Sequence, residues 1–577
     1  MTYQRPLQWI SMATAVICTL WFFPSTLDPF NVSKLAILVV GAAVLIGLIG
    51  GWFKAWWTRR ESSLVGTVGV FVLGLTAAGI ASDQNAYRTI WGAWARNDGW
   101  AAYVSLAVIL LAVAIAFRGV EASRGLYTLM GIGVCEVAYS TLQTFGQDPV
   151  HWSNGYNAII GTVGNPNFAS ALLGISAVAL SWAALEPSHQ LALRIPSGVV
   201  ALLAVWLTIR SDSIQGTLAF GAGLAVLLGG WLSMPDRATN LRRLLWPYVG
   251  VVSFSAGVGV MGLAGSGPLG SILHSQNLVN RTYYWRAGWK MFLRDPLFGI
   301  GLDSFGDWYR VLRLPEQVAA TGIQTSSNAA HSIVFQMLAT GGLAFFGTYL
   351  LLQVFVLWRA IAAFRSGGNR LLVSAVFGTW VAFLLQSLFS IDQLGLTVWG
   401  WVIGGLVIGV SYAPIARPGA KKANRRNAQQ QASGAMVPLT AAVVLGLGAT
   451  LWVAGPLSYD SSIRAAVSVS VDTKQPAQVS AAAQTVLAAV DGANDPYFRA
   501  QAVGKLYNIG AVDAGLTLAE SSTKMFPLDG NLWELVATAY EQTGRAKLAI
   551  PAREKTVELD PLNTDYAKLL AQDKAAK

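Results

Sequence analysis

Residues 394–413 read LGLTVWGWVIGGLVIGVSYA, an apolar run that contains no charged side chain. A helix of about 20 mostly apolar residues is long enough to cross the hydrocarbon core of a bilayer. Other runs of this kind predict spans near residues 8–25, 35–52, 64–82, 100–117, 125–145, 167–185, 195–209, 214–233, 245–264, 338–358, 371–390 and 436–455. We therefore expect an all-α, polytopic membrane protein with 12–13 transmembrane helices.

The composition of the whole chain agrees with this fold class. Of its 577 residues, 54% are apolar and 12% carry a charge, whereas soluble domains carry about 25% charged residues. This excludes a water-soluble single domain and a disordered chain. Cys18 and Cys135 both lie inside apolar runs, which argues against a disulfide framework or a metal cluster. The first apolar run continues into the multi-span pattern, so we expect no cleavable signal peptide.

Basic residues set the expected orientation. With the amino terminus in the cytoplasm, the inner connections hold 18 basic residues and the short outer connections hold four. The inner set is Arg5, Lys54, Arg59, Arg60, Arg118, Arg124, Arg194, Arg237, Arg242, Arg243, Arg359, Arg365, Arg370, Arg417, Lys421, Lys422, Arg425 and Arg426, and the outer set is Lys34, Arg88, Arg96 and Arg210. Cytoplasmic loops carry such an excess. The net charge of +11 therefore indicates membrane orientation and no nucleic-acid partner, and an odd number of spans sends the carboxyl terminus outside.

Four regions follow from this pattern. Residues 1–415 form a membrane domain with a large outer loop at 265–337, and residues 416–435 form a basic, flexible cytoplasmic linker. Residues 436–455 add one transmembrane helix, and residues 456–577 form a polar extracytoplasmic domain. We expect this protein in the cytoplasmic (inner) membrane, in contact with membrane lipids.

The polar tail carries a repeat signal. Five residues match the offsets of the tetratricopeptide consensus: Trp533, Tyr540, Gly544, Ala549 and Pro561. Pro527 precedes Pro561 by 34 residues, which is the length of one such repeat. We interpret 456–577 as a tetratricopeptide-like helical domain. It is either a packed cap without a partner or a surface that binds another protein.

Few ionisable residues lie inside the predicted spans. Glu136 is the one acid well inside an apolar run, and an intramembrane acid is by default a functional candidate. One acid does not make a proton relay, so a hydrogen-bonded helix contact is the simpler interpretation of Glu136.

Polar chemistry collects instead on the predicted outer side. Residues 280–305 read NRTYYWRAGWKMFLRDPLFGIGLDSF, in which aromatic and basic residues from Arg281 to Phe292 recur at helical spacing. His331 precedes the tenth span, and Gly341-Gly342 follows ten residues later. The alternatives to a catalytic site are an interfacial helix that contacts lipid headgroups and a histidine with only a hydrogen-bonding role.

Three segments in this order resemble the O-antigen ligase and O-antigen polymerase superfamily, which includes bacterial O-oligosaccharyltransferases. The segments are GTVGNPNFAS at 161–170, the loop from Arg281 through DPLFGIG, and AHSIVFQMLATGG at 330–342. The resemblance covers roughly residues 1–415, and the additional span and tail resemble a subgroup. It implies an all-helical membrane glycosyltransferase that uses a polyprenyl-diphosphate-linked glycan donor, without nucleotide sugar, metal or other cofactor.

The resemblance also implies residue roles. Arg281 matches the loop arginine that holds the diphosphate, and a guanidinium fork suits phosphate oxygens. His331 matches the histidine that takes the proton of the acceptor hydroxyl. Trp285, Arg286 and Asn165 are expected at the substrate.

A second family arginine lies in a Ser-Arg-Gly-like context, from which this chain departs. Residues 210–216 read RSDSIQG. If Ser213 matches the family serine, Ile214 replaces the arginine, and Arg210 is the remaining candidate for the second diphosphate contact.

The leading hypothesis is therefore an enzyme that transfers or polymerises a lipid-linked oligosaccharide onto an acceptor hydroxyl at the outer face of the cytoplasmic membrane. The acceptor is a glycan, a lipid or a protein. The alternatives are a glycolipid flippase or exporter, and an envelope-assembly scaffold that acts through its tail. Transporters keep essential charges inside their spans, whereas here they lie at the predicted outer mouth, which favours the transferase.

Overall fold

The computed structural model describes residues 4–50, 61–82, 84–152, 157–234, 238–274, 276–413 and 425–575, except the side chains of Ile272, Asn277 and residues 425–436. Within these residues the structure contains helices and no strand. The predicted all-α, polytopic class is confirmed.

The first half of the chain contains eleven described helices. They are Gln4–Leu20 (α1), Asn31–Gly50 (α2), Ser62–Ala81 (α3), Ala86–Trp91 (α4), Trp100–Ala116 (α5), Ala122–Thr144 (α6), Pro166–Leu185 (α7), Leu191–Arg210 (α8), Ile214–Leu232 (α9), Thr239–Arg243 (α10) and Leu245–Leu263 (α11).

The remaining helices belong to the large loop, the last spans and the tail. They are Gly270–Leu273 (α12), Gln276–Arg294 (α13), Phe305–Leu312 (α14), Pro315–Thr321 (α15), Ile333–Arg365 (α16), Arg370–Ser387 (α17), Leu394–Val410 (α18), Arg425–Ser468 (α19), Pro476–Val490 (α20), Pro496–Asn508 (α21), Val512–Met525 (α22), Gly530–Gln542 (α23), Ala546–Leu559 (α24) and Thr564–Ala575 (α25).

A helix lies at each of the thirteen predicted spans. Among the described residues, nine helices are long and apolar enough to cross a membrane, and α5 and α18 are shorter apolar helices. The helices at the two remaining predicted spans, α1 and α6, are not among these eleven. Helix α1 has only 17 residues, and α6 carries buried polar residues such as Glu136 and Gln143. The count of 12–13 spans therefore stays a prediction.

Two helix boundaries differ from the predicted ones. Helix α16 begins at Ile333 and contains a break at Gly342, whereas the hydropathy placed its start near residue 338. Helix α19 begins at Arg425 and runs to Ser468, so the second half of the stretch predicted to be a flexible linker is helical. Residues 416–424 of that stretch, like Lys54, Arg59, Arg60 and Arg237, lie outside the described residues.

Small residues bring the central helices into close contact. Every residue of α18 from Leu394 to Gly409 is buried. A Cβ atom on Gly223 of α9 would lie 2.8 Å from the carbonyl oxygen of Gly378 in α17. Helices in membranes associate through such close backbone contacts. By contrast, nearly the whole of α11 is uncovered by protein, which suits a lipid-facing helix.

The connections predicted to be outer gather at one end of the bundle. Asn31, the first residue of α2, donates to the carbonyl oxygen of Ala95 (2.8 Å), and Gln393 of the α17–α18 connection donates to Asn31 Oδ1 (3.2 Å). At the other end, Arg118 forms an ion pair with Glu61 (2.6 Å). The same Arg118 guanidinium lies 5.1 Å from the ring centre of Tyr412.

The tail forms helix pairs with a regular period. Helices α21, α23 and α25 begin at residues 496, 530 and 564, and α22 and α24 begin at 512 and 546. Equivalent helices of successive pairs therefore begin 34 residues apart. Asp495 and Asp529 cap α21 and α23 by accepting backbone N–H groups. The assignment of this unit to the tetratricopeptide class stays a prediction.

Candidate active site

A backbone joint connects the large loop to helix α16. The N–H of Ile300 donates to the carbonyl of Ala339 (2.9 Å), and the N–H groups of Leu343 and Ala344 donate to Pro296 and Leu297 (both 2.9 Å). These bonds are available because α16 breaks at Gly342, where φ is 58° and ψ is −156°. The DPLFGIG and Gly341-Gly342 motifs therefore form one structural unit.

Glycine is required on both sides of this joint. Gly299 has φ 71°, and a Cβ atom there would collide with the backbone of Gly341. A Cβ atom on Gly342 would collide with the backbone of Leu297. Residues other than glycine rarely adopt positive φ, so these two glycines allow the loop to pack directly against the broken helix.

His331 lies in a strained turn just before α16. Its φ is 52°, an unusual value for a residue with a side chain. Gln336 Oε1 accepts the N–H of Ala330 (2.8 Å), and Trp285 Nε1 donates to the His331 carbonyl (3.4 Å). The ring of Tyr284 lies 5.3 Å from the imidazole. Helix α13 and the first turn of α16 thus hold this histidine from both sides.

Arg281 lines a cavity of about 210 Å³ among α9, α13 and α17. The guanidinium is half-buried, and among the described residues no carboxylate pairs with it; burial lowers the pKa of Arg281, and its neighbour Tyr284 only partly offsets this. A buried cation without an acid partner is costly. Arg281 is therefore suited to receive an anionic ligand.

The positive charges of Arg281 and Arg96 disfavour protonation of His331. Burial, followed by the positive charges of Arg281 and Arg96, lowers the pKa of His331 to about 3. Arg96 is buried and pairs with Asp98 (2.6 Å) and with Asp303 in the large loop (2.8 Å). The imidazole is therefore neutral near pH 7 and free to accept a proton.

Residues of three chemical kinds line the cavity, and each kind is called a wall of it. Arg281 provides a cation, and the acid Asp212 together with the uncharged polar residues Asn167, Ser213, Gln215 and Gln386 provides hydrogen-bonding groups. The apolar residues Ile214, Leu218, Leu263, Leu273, Leu278, Leu385 and Phe389 provide the rest. Leu263 ends the lipid-facing helix α11, so the apolar wall extends toward the bilayer.

The comparison with known families agrees with this geometry. Residues 198–352 match the family model described as O-antigen ligase (Wzy_C).

Residues 198–352 are therefore similar to the O-antigen ligase family.

This O-antigen ligase segment contains Arg210, Arg281, Trp285, Arg286 and His331. It also contains the joint at Gly342, whereas Arg96 and Gln386 lie outside it. No curated protein matches the chain. The match indicates a glycosyl-transferring enzyme that acts on a lipid-linked glycan and an acceptor in a membrane.

None of the four predicted substrate residues lines the cavity, and neither does His331. Arg210 and Arg286 are exposed, and neither lines the cavity. Arg286 is five positions after Arg281 on α13 and so faces a different direction. Asn165 caps α7 by accepting the N–H of Asn167, and Asn167 is the member of that motif that lines the cavity. Trp285 packs against Phe335 (5.6 Å between ring centres) and supports the His331 turn.

Glu136 makes structural hydrogen bonds, in agreement with the simpler of its two interpretations. It accepts the N–H of Thr162 (3.1 Å) and also contacts the hydroxyl of Thr162. Lys34 donates to the carbonyl of Thr162 (3.1 Å). Together they hold the turn at residues 161–163 that precedes α7. Within the described residues, no group of three or more His, Cys, Asp or Glu side chains is arranged to hold a metal ion.

The sequence does not indicate Arg96, Gln336 or Gln215 as residues of the candidate site. Arg96 stands out only as a basic residue of an outer connection, and Gln336 has no spacing signal because it acts through the backbone of Ala330. Gln215 belongs to the stretch RSDSIQG at 210–216, whose sequence signal is the missing arginine. The polar side chain that this stretch supplies to the cavity is Gln215.

Proposed function

We propose that this protein transfers a polyprenyl-diphosphate-linked oligosaccharide onto an acceptor hydroxyl at the outer face of the cytoplasmic membrane. The observation that carries the proposal is Arg281, a half-buried guanidinium that lines the cavity and has no acid partner among the described residues. Its positive charge lowers the pKa of His331, which does not itself line the cavity. The family match supports glycan transfer without specifying the donor or the acceptor. The acceptor is a glycan, a lipid or a protein.

The three walls of the cavity correspond to the three parts of such a donor. An arginine fork binds phosphate oxygens in a bidentate manner, which assigns the diphosphate to Arg281. The leucine-rich wall beside α11 accommodates the first isoprene units of the lipid. The polar wall then faces the first sugar.

The reaction requires no redox partner. The acceptor oxygen attacks the anomeric carbon of the donor sugar, the bond from that carbon to the phosphate oxygen breaks, and the lipid diphosphate leaves with the bonding electrons. The acceptor proton passes to the neutral imidazole of His331. Arg281 stabilises the negative charge that develops on the leaving phosphate.

Arg281 and His331 are tested by in-vitro transfer from a purified polyprenyl-diphosphate-linked donor in detergent with EDTA. Arg281→Ala should abolish transfer, and Arg281→Lys should restore only part of it, because an ammonium lacks the fork. His331→Ala should lower the rate by about 10²–10⁴-fold while donor binding persists. Lys290→Ala is the control, since Lys290 is exposed on the same helix.

The outcome that contradicts the proposal is near-wild-type turnover in both Arg281→Ala and His331→Ala, with each variant monodisperse. A flippase would then be the better explanation, because it needs these residues only to guide a headgroup. Arg210→Ala and Arg286→Ala should have mild effects, since both side chains are exposed. A severe defect in Arg210→Ala would make it the second diphosphate contact.

A further inference from the structure

The polar wall of the cavity contains two glutamines with unusual hydrogen bonding. Gln215 lies in the first turn of α9 and Gln386 in the last turn of α17, and each is only 3% exposed. Both line the cavity with Arg281. Within the part of the chain that the structure describes, the amide oxygen Oε1 of each has no hydrogen-bond partner.

The neighbouring groups fix the orientation of both amides. Gln215 Nε2 donates to the carbonyl of Phe389 (3.1 Å). If the amide were rotated by 180°, Gln215 Oε1 would face the Phe389 carbonyl oxygen, and two acceptors would repel each other. Gln386 Nε2 donates to Ser387 Oγ (2.9 Å), whose own hydrogen is donated to the Phe383 carbonyl (2.9 Å). Both Oε1 atoms are therefore acceptors that lack a donor.

Buried acceptors without a partner are rare and call for an explanation. An ionised diphosphate has only acceptor oxygens, so it cannot satisfy an amide oxygen. A sugar ring carries several hydroxyl donors, and an N-acetyl sugar adds an N–H donor. The donor group that these glutamines lack is the one that a pyranose next to the diphosphate provides.

We propose that Gln215 and Gln386 form a subsite that binds the hydroxyl or amide N–H groups of the first sugar of the lipid-linked donor. This rests on the proposed function, in which Arg281 holds the adjacent diphosphate. The subsite distinguishes a sugar-bearing lipid diphosphate from the bare lipid diphosphate. It is thus a specificity determinant and not part of the bond-breaking chemistry.

The test compares two diphosphate diesters of equal charge that differ in the sugar. Affinity is measured in nanodiscs for the methyl ester of polyprenyl diphosphate, the bare lipid, and for polyprenyl diphosphate that carries one N-acetylglucosamine. The wild-type protein should bind the sugar-bearing probe at least about tenfold more tightly, the scale of lost hydrogen bonds to buried groups. Gln215→Met and Gln386→Met keep the side-chain length, remove the acceptor and should each reduce this preference, with bare-lipid affinity unchanged.

Gln317→Met is the matched control. Gln317 is also buried, at 1% exposure, and its Oε1 is also without a partner, but it lies in α15 and does not line the cavity. Its replacement should leave the preference intact.

The remaining outcomes of the binding experiment separate failure of the subsite from failure of the proposed function. Equal wild-type affinity for the two probes overturns the subsite while leaving the proposed function in place if transfer occurs. An equal loss of both affinities in the methionine variants also overturns it, because the glutamines are then only structural. Failure of the wild-type protein to bind either probe removes the proposed function as well.

Discussion

His331 is a weak base in the free protein because two arginines and burial disfavour its protonated form. Its pKa is lowered to about 3, against about 6.5 for an ordinary histidine. Arg281 is the second of the three causes. When a diphosphate neutralises Arg281, this cause weakens and the pKa of His331 rises. The base therefore strengthens when the donor is in place.

This coupling predicts two observations in ¹³C-histidine NMR, which is practical because the chain has 4 histidines. In the free protein, the His331 resonance should stay in its neutral position from pH 8 to pH 5. With polyprenyl diphosphate bound, its midpoint should move to higher pH. The variant His331→Gln identifies the resonance. An ordinary titration near pH 6.5 in the free protein contradicts the electrostatic description.

At the scale of elements, the loop and α16 depend on the glycine joint. Gly342→Ala introduces a Cβ atom at φ 58° that collides with the Leu297 backbone. We expect destabilisation of more than about 1 kcal/mol, together with loss of transfer, because the joint leads directly to His331. Thermal unfolding in detergent and the transfer assay measure the two effects.

Gly347→Ala is the matched control in the same helix. A Cβ atom at Gly347 meets nothing within 4 Å, so alanine there should be neutral or stabilise by about 0.4–1 kcal/mol. Equal unfolding temperatures for the two alanine variants would show that the joint does not constrain α16.

The sequence predicts the helices better than the contacts between them. Apolar runs place a helix at every predicted span, and Asp295-Pro296 ends α13 at Arg294 as expected. The break in α16 was not predicted, because hydropathy continues unchanged through Gly342 and only the approach of residues 296–300 reveals it. The motifs indicate Arg281 and His331, whose roles stay predictions. No motif indicates Gln215 or Arg96, since their positions near these residues depend on which connections come together in space.

At the scale of the whole molecule, the tail packs on the end of the bundle that carries the site. Trp94 and Tyr497 stack with ring centres 3.6 Å apart. Asp560 pairs with Arg313 (2.6 Å) and Arg310 (2.9 Å) of the large loop. The tail thus contacts the segment that continues to His331.

Asp560→Ala should therefore impair the site from a distance. Breaking a buried ion pair costs about 3–5 kcal/mol, and both Asp560 and Arg313 are nearly inaccessible. We expect a lower unfolding temperature, faster proteolysis within residues 305–330 and reduced transfer. Asp513→Ala is the control, because its pair with Arg545 is exposed and worth about 0–1 kcal/mol. Unchanged protease resistance in Asp560→Ala would contradict this coupling.

Orientation is the second whole-molecule prediction. With Cys18 and Cys135 replaced, single cysteines at Gln324 in the loop and Ser521 in the tail should react with an impermeant maleimide on wall-stripped cells. A cysteine at Ser366, between α16 and α17, should be protected until the membrane is opened. All three positions are exposed in the fold, whereas neighbouring Ser522 is fully buried. Labelling at Ser366 with protection at Ser521 would reverse the predicted topology.

The contacts of the tail also set an order of events during synthesis. Asp460 bonds to the backbone N–H of Leu27 and to the indole of Trp94 (2.9 Å), and Asp560 is made 247 residues after Arg313. At about 5–20 residues per second, a ribosome needs roughly 20–90 seconds to travel from Leu27 to Asp460, 433 residues later. Arg310 and Arg313 are made well before Asp560, and Arg88 is made well before its tail partner Asp495 (4.0 Å). The membrane end therefore reaches its final arrangement only after Asp560 has been made, and a chain that stops before Asp560 lacks the ion pairs between the tail and the large loop.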